Sequence, residues 1–131
     1  MFVDASAIVG ILAGESDAAS LAGRLSRARA ARTSATAVAE AAIALARIAN
    51  SPPDDALGLV ERFLIETKIS IMPIDLLTAR LAIEGFVRFG KGRHPAALNF
   101  GDCFAYACAR QIETPLLCKG NDFPRTDIEL A

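Results

Sequence analysis

The sequence has few of the residues that mark a disulfide-stapled or zinc-binding protein. Among 131 residues there are three cysteines, one histidine and no tryptophan. Cys103, Cys108 and Cys118 form no C-x-x-C pair, and an odd number of cysteines cannot all pair within one chain. This pattern predicts reduced cysteines buried as small core residues, and it argues against a zinc site built from cysteine and histidine.

The chain also lacks a long apolar run and an excess of positive charge. Its most apolar segment, residues 36–49, contains Glu40 and Arg47 and is too short to span a bilayer. The N-terminus has neither the basic region nor the apolar stretch of a signal peptide. The formal net charge is −1, which argues against a DNA-coating protein but not against an enzyme that acts on a short stretch of RNA. We expect a soluble, cytoplasmic protein.

What the sequence does have is an alternation of short β-like runs with longer helical runs. Apolar residues make up 53% of the chain, which suits a helix-rich globular domain. Strands are predicted at residues 1–4, 31–35, 69–74 and 115–118. Helices are predicted at 6–12 with Ser6 as cap, and at 16–28, 36–50, 53–68, 75–89 and 102–112; the tail is predicted to hold turns and one edge strand. The alternation predicts one α/β domain over residues 1–131, with a parallel sheet flanked by helices.

Four acidic residues are expected at one edge of this sheet. In parallel sheets, ligand sites form at the carboxyl ends of the strands. Asp4 ends the first strand, Glu40 lies one turn into the helix after the second, Asp102 opens the helix before the last strand, and Asp122 follows that strand. Each acid alone has an ordinary explanation as a cap, a first-turn residue or a turn residue. Their joint position suggests a site, whereas the other acids, Glu15 among them, are assigned to polar helix faces, turns or the tail.

Converging carboxylates require a counter-charge. Two carboxylates about 4 Å apart repel by roughly 4 kcal/mol at an effective dielectric constant near 20. Four of them cannot all stay ionised without raised pKa values or a bound cation. Oxygen ligands select a hard ion such as Mg²⁺ or Mn²⁺. Such an ion suits phosphodiester cleavage, where it activates the attacking water and stabilises charge on the scissile phosphate and the leaving oxygen.

The segments MFVDASA, AVAEAAIAL, LNFGDCFAYACA and KGNDF together resemble the PIN-domain ribonucleases, most closely the VapC toxins of bacterial toxin–antitoxin pairs. The resemblance runs from Phe2 to the tail. It implies an α/β/α sandwich with a parallel central sheet, and a Mg²⁺-dependent (or Mn²⁺-dependent) endoribonuclease that cleaves structured RNA of the translation machinery, tRNA or rRNA. It further implies a homodimer that a VapB-type antitoxin inhibits in a heterotetramer or larger assembly, with no membrane partner.

The resemblance also implies roles for the acids. Asp4 and Asp102 would be the main metal ligands. Glu40 would complete the acidic pocket and help to position or activate the water. Asp122 would be the fourth acid, acting directly or through water, although it follows Asn121 where many relatives have Thr or a second Asp.

Two polar residues and a basic loop are expected beside the pocket. Ser6 and Asn99 match the family's polar residues there, where they could hydrogen-bond an acid or the scissile phosphate. Residues 88–94 hold four basic side chains: Arg88, Lys91, Arg93 and His94. A flexible basic loop beside an acidic site could contact RNA phosphates, with Arg93 among the contacts, or could simply be solvated.

Other classes of protein remain as alternatives. A receiver-type phospho-acceptor domain is also a small α/β protein that uses Mg²⁺, and Asp75 and Lys119 follow strands where its acceptor and lysine would lie. That class requires paired acids after the first strand, however, and here Asp4 is followed by Ala5. The same position argues against a haloacid-type phosphatase, which requires D-x-D. A non-catalytic PIN-like binding module is the third alternative, and the presence of all four acids argues against it.

Overall fold

The sheet of this protein is parallel throughout. The structure, a computed structural model, describes residues 1–131. Its strands are β1 (Phe2–Val3), β2 (Arg32–Ser34), β3 (Ser70–Met72) and β4 (Leu116–Leu117), in the order β3-β2-β1-β4. Its helices are α1 (Ala5–Leu12), α2 (Ala18–Ser26), α3 (Ala35–Ala49), α4 (Pro53–Thr67), α5 (Leu76–Phe89) and α6 (Phe100–Gln111). The predicted α/β fold with a parallel sheet is therefore confirmed.

Two hydrophobic cores lie on opposite faces of the sheet. Successive side chains of a strand point to opposite faces, so neighbouring residues enter different cores. Val3 and Leu117 pack with α1 to α4 on one face, whereas Phe2 and Leu116 pack with α5 and α6 on the other. All four are fully buried, and each such side chain contributes about 1.5–3 kcal/mol when removed from water. The result is the predicted α/β/α sandwich, with β1 at its centre.

Three helices begin earlier than the sequence predicts, and for α1 and α6 the difference concerns site residues. The N-cap of α1 is Asp4 rather than Ser6, because the Asp4 carboxylate accepts a hydrogen bond of 3.0 Å from the Ser6 N–H. Helix α6 begins at Phe100 rather than Asp102, because Asn99 caps it. Asn99 Oδ1 accepts from the Asp102 N–H at 3.0 Å, and the Asp102 carboxylate accepts from the Asn99 N–H at 2.8 Å. This reciprocal pair is a capping box.

The third strand and the tail contain less β-structure than predicted. β3 covers residues 70–72 rather than 69–74, since Pro73 has no N–H to continue the ladder. The predicted edge strand of the tail is an isolated parallel bridge between Leu116 and Leu130. A single 3-10 turn, Phe123–Arg125, precedes that bridge. No helix has the length and apolar character needed to cross a bilayer.

The C-terminal tail is fastened to the α5–α6 layer through Asp127. One carboxylate oxygen of Asp127 accepts from the Tyr106 hydroxyl at 2.8 Å, and the other lies 2.8 Å from Arg88 Nη2 and 3.3 Å from Arg110 Nη1. The Tyr106 side chain is buried, so this network reaches from the surface into the core. The segment between β4 and Asp127, which includes Asp122, is therefore held at both ends.

Candidate active site

An open cleft of about 310 Å³ lies at the carboxyl ends of the strands. Asp4 reaches it directly after β1, Glu40 from the second turn of α3, Asp102 from the first turn of α6, and Asp122 from the segment after β4. The polar residues that line the cleft are Asp4, Ser6, Glu15, Glu40, Asp102, Lys119 and Asp122. The structure thus brings together all four acids that the sequence singled out, from four separate parts of the chain.

Asp4 is the buried member of the group, with 5% of its surface exposed. Burial raises the pKa of its carboxyl group, and this effect outweighs the opposing effect of the hydrogen bonds from Ser6. The Ser6 hydroxyl donates to Asp4 Oδ2 at 2.5 Å, and the Lys119 N–H donates to the Ser6 hydroxyl oxygen at 3.0 Å. Ser6 therefore connects the segments after β1 and β4 and fixes the orientation of the Asp4 carboxylate.

Neighbouring acids of the cleft affect the ionisation of Glu40 and Asp102. Desolvation raises the pKa of Glu40, and the charges of Asp4 and Asp102 raise it further. Desolvation also raises the pKa of Asp102, with further contributions from Asp4 and Asp122 that act against the hydrogen bond from Asn99. Glu40 lies at the open surface of the cleft and Asp102 is half-buried. Mutual repulsion of this kind favours protonation or a bound cation.

The other predicted site residues are divided between the cleft and its surroundings. Ser6 lines the cleft, whereas Asn99 lies beside it as the cap that positions Asp102. Arg93 does not line the cleft, and its guanidinium lies 5.4 Å from the ring centre of Phe86. In the same loop, His94 Nδ1 accepts from the Ala96 N–H at 3.1 Å. Arg88 lies in the last turn of α5 rather than in the loop and is paired with Asp127, so three of the four basic side chains of residues 88–94 have partners within the chain.

Two residues of the cleft were not among the predicted site residues. Glu15, which the sequence pattern assigned to a polar surface, lines the cleft next to Lys119. A turn brings it there: Gly14 has a φ of +65° and the Glu15 N–H donates to the Gly10 carbonyl oxygen at 3.1 Å. No periodicity in the sequence signals this reversal. Lys119 did carry a signal, because a residue that follows a parallel strand lies at the site edge of the sheet.

The acids of the cleft suit a hard divalent cation in their chemistry. They offer oxygen ligands, and burial, with the nearby acids adding to it for Glu40 and Asp102, raises the pKa values of Asp4, Glu40 and Asp102. In this conformation no three His, Cys, Asp or Glu side chains converge into a ready-made cage. An ion bound here would therefore take one or two carboxylates directly and fill the rest of its coordination shell with water, which is the common mode for Mg²⁺.

Comparisons with known proteins agree with the fold. The family model described as PIN domain matches residues 1–129. Ribonuclease VapC28 of Mycobacterium tuberculosis is 41% identical over 133 aligned positions, which cover 100% of this chain and 97% of that protein. Ribonuclease VapC36 of the same organism is 44% identical over 130 positions, which cover 98% of this chain and 91% of that protein.

A solved structure shows the same fold at lower sequence identity. The crystal structure of VapC20 of Mycobacterium tuberculosis, described as a Sarcin-Ricin loop cleaving toxin, superposes with a TM-score of 0.76. It is 19% identical, and the match covers 99% of this chain and 97% of that one. The fold of the two chains is therefore shared.

The chain belongs to the PIN-domain family. Within that family its full-length similarity is to the VapC ribonucleases. The predictions of the family, the fold class and an RNA-cleaving enzyme are thereby confirmed. A receiver-type signalling domain is excluded by the same findings.

Proposed function

We propose that this protein is the toxin of a type II toxin–antitoxin pair and that it cleaves structured RNA of the translation machinery with the help of Mg²⁺. One observation carries the proposal: acids from four separate segments meet in one open cleft, where burial and, after it, the neighbouring acids raise the pKa values of Glu40 and Asp102. A purely structural cluster gains nothing from such repulsion, whereas a bound cation would relieve it.

Asp4 and Asp102 would hold the ion, since their orientation is fixed by hydrogen bonds to Ser6 and Asn99. When bound, Mg²⁺ supplies the positive charge that phosphodiester hydrolysis requires at the attacking water and at the phosphate. Glu40, at the open side of the cleft, is placed to orient the attacking water and accept its proton. Asp122, exposed on the segment after β4, completes the negative wall directly or through water. Mn²⁺ has the same ligand preference and would substitute for Mg²⁺.

The RNA class is proposed from the relatives. VapC28 and VapC36 are named ribonucleases, and VapC20 is described as cleaving the Sarcin-Ricin loop, which is an rRNA element. A structured rRNA or tRNA is therefore the substrate class that we propose for this chain. Such a substrate would place the protein in the cytoplasm. The open form of the cleft is compatible with a folded RNA segment that enters by one exposed loop.

The proposed partners are a second copy of the chain and a VapB-type antitoxin. Apolar side chains are exposed on α5 and at the start of α6: Ile83, Phe86, Val87 and Phe100. Ile83, Phe86 and Phe100 line, with their neighbours, an apolar groove of about 350 Å³ between the two helices. Exposed apolar patches of this kind commonly mark protein interfaces. We assign this one to a homodimer, which would form a heterotetramer or a larger complex with the antitoxin.

The test is a cleavage assay with purified protein and ribosomal RNA. We expect cleavage in Mg²⁺, loss of cleavage in EDTA, and recovery when Mg²⁺ or Mn²⁺ is restored. Asp102→Asn is expected to lose cleavage while keeping the wild-type circular dichroism spectrum. Cleavage that persists in EDTA and in this variant would contradict the metal-dependent mechanism, and its complete absence from every RNA tested would favour a non-catalytic binding module.

A further inference from the structure

Lys119 is the only cationic side chain that lines the acidic cleft. It lies two residues after the end of β4, and its backbone N–H donates to the Ser6 hydroxyl oxygen at 3.0 Å. Ser6 in turn donates to Asp4. Two consecutive hydrogen bonds therefore fix the backbone of Lys119 relative to the most buried acid of the site.

The Lys119 ammonium is held away from the four acids by a different pair of carboxylates. Its Nζ forms an ion pair with Glu15, and it lies 3.4 Å from Asp17 Oδ1. The pair lies over Gly10 of α1, where a Cβ would be in ordinary van der Waals contact with it, 3.5 Å from Glu15 Oε2 and 3.7 Å from Lys119 Cδ. The Lys119 side chain therefore lies along α1, at the wall of the cleft.

The ion pair is weak enough to be exchanged for another anion. About a third of each partner's side chain is exposed, 36% for Lys119 and 33% for Glu15, and exposed pairs contribute little to stability. The hydrogen bond that the Lys119 ammonium donates to Glu15 raises the pKa of Lys119, so the ammonium is charged throughout the neutral range. A long flexible lysine stem allows the ammonium to swing without moving the backbone.

The balance of charge in the cleft shows why a cation is needed there. Five carboxylates line the cleft, those of Asp4, Glu15, Glu40, Asp102 and Asp122, against one ammonium. An RNA phosphate would add a further negative charge to this wall. Bound Mg²⁺ would neutralise part of it, and Lys119 is the one cationic side chain of the cleft that can reach an entering phosphate.

We infer that Lys119 binds a backbone phosphate of the RNA, exchanging the carboxylate of Glu15 for a non-bridging phosphate oxygen. The inference rests on the proposed function, whose site it extends with a substrate-binding residue. No covalent step is involved. Glu15 and Asp17 hold the ammonium in place in the free enzyme and compete with RNA for it.

The competing explanation is that the ion pair only ties the segment after β4 to the turn after α1. The two explanations predict opposite patterns. A structural tie is broken equally by Lys119→Met and Glu15→Gln, so both variants would change RNA binding in the same direction. If Lys119 binds phosphate, Lys119→Met weakens RNA binding, whereas Glu15→Gln frees the ammonium and tightens it.

Binding is measured by fluorescence anisotropy with a labelled synthetic RNA hairpin, in Mg²⁺, between 50 and 300 mM KCl, with every variant built on Asp102→Asn. We expect Lys119→Met to weaken binding about tenfold and to reduce the slope of log K against log salt by about 0.7–0.9, the value of one phosphate contact. Lys119→Arg retains the slope. Lys68→Met is the matched control, because Lys68 precedes β3 and so lies at the opposite edge of the sheet.

Cleavage by the otherwise unmodified protein is measured in parallel, so that the two proposals fail separately. If that protein does not cleave RNA but Lys119→Met still lowers the affinity and the salt slope, the proposed function fails and the inference stands. If it cleaves RNA while Lys119→Met matches its parent in affinity and slope, the inference is overturned alone. Absence of RNA binding by the parent at 50 mM KCl would overturn the inference as well.

Discussion

Gly101 lies against Glu40 with no room for a side chain between them. A Cβ at position 101 would overlap Glu40 Oε2 and would lie 3.1 Å from its Cδ. Glycine inside a helix costs about 1 kcal/mol relative to alanine, so helix α6 is less stable for having it. In return the Glu40 side chain can lie against the start of α6, beside Asp102.

Gly101→Ala is therefore expected to impair cleavage without unfolding the protein. The new methyl group displaces the flexible end of Glu40, and we expect kcat to fall at least about tenfold, since a well-positioned acid–base group contributes about a hundredfold or more. Thermal stability should stay the same or rise, by up to about 1 kcal/mol from the better helix propensity of alanine. Both quantities are measured on one preparation, by a cleavage assay and by thermal unfolding.

Gly58→Ala is the matched control for that substitution. Gly58 lies within α4, and a Cβ there would meet nothing within 4 Å. The control should show the helix stabilisation and full activity. If Gly101→Ala also retains full activity, cleavage does not depend on the position of the Glu40 side chain.

Substitutions of Asp4 separate its role as a helix cap from its role in the site. Asparagine caps helices about as well as aspartate, so Asp4→Asn should keep the fold, whereas Asp4→Ala forfeits about 1 kcal/mol of capping. Both variants lack the carboxylate, and cleavage should fall about a hundredfold or more in each, because the charge stabilisation of a metal site is worth several kcal/mol. If the Asp4→Asn variant still cleaves RNA, Asp4 acts only as a helix cap.

The buried charge of Asp4 should also make stability depend on pH in a predictable direction. Burial raises the pKa of Asp4 above its ordinary value of 3.8. Between that value and the raised pKa the folded state binds more protons than the unfolded state, so the free energy of unfolding falls as pH rises through this window. The Asp4→Asn variant has no carboxyl group at this position, so its free energy of unfolding does not fall in this way. In EDTA, its Tm should equal that of the unmodified protein near pH 3.8 and exceed it increasingly toward neutral pH.

Two further measurements check the origin of that difference. Mg²⁺ binding stabilises only a protein that holds the ion, so added Mg²⁺ should narrow the gap in Tm at neutral pH. Glu66→Gln, on the exposed face of α4, is the control for simply removing an acid. A gap that is independent of pH would mean that the Asp4 carboxylate is not destabilised by burial.

The sequence was informative where a candidate site residue lies in the segment that follows a strand. Asp4 and Asp122 follow β1 and β4, and the rule that parallel strands direct their carboxyl ends to one edge is enough to bring them together. The positions of Glu40 and Asp102 could also be predicted, because both residues lie in the first two turns of helices that adjoin that edge. These positions depend on the order of strands and helices along the chain, which the pattern of apolar residues predicts.

The sequence did not predict the positions of residues that depend on a turn or on a side-chain rotamer. Glu15 reaches the cleft because a left-handed Gly14 reverses the chain, and Arg93 lies over Phe86 rather than in the cleft because its loop takes one particular conformation. Helix starts shifted for a related reason. Both Asp4 and Asn99 accept hydrogen bonds from the backbone, and such caps move the first turn by one or two residues.

The network around Asp127 should control how well the tail is held. Burial raises the pKa of Asp127, but hydrogen bonds from Tyr106 and Arg88 outweigh it and leave the pKa lowered, so the ionised form stabilises the fold. This contribution is present at neutral pH and is lost as pH falls through the lowered pKa. Asp127→Asn should therefore lower the stability by about 1 kcal/mol at pH 7 and by less in acid. Hydrogen exchange should quicken in residues 119–127, and cleavage should weaken because Asp122 lies in this segment; exchange rates unchanged there would show that the bridge at Leu130 holds the tail alone.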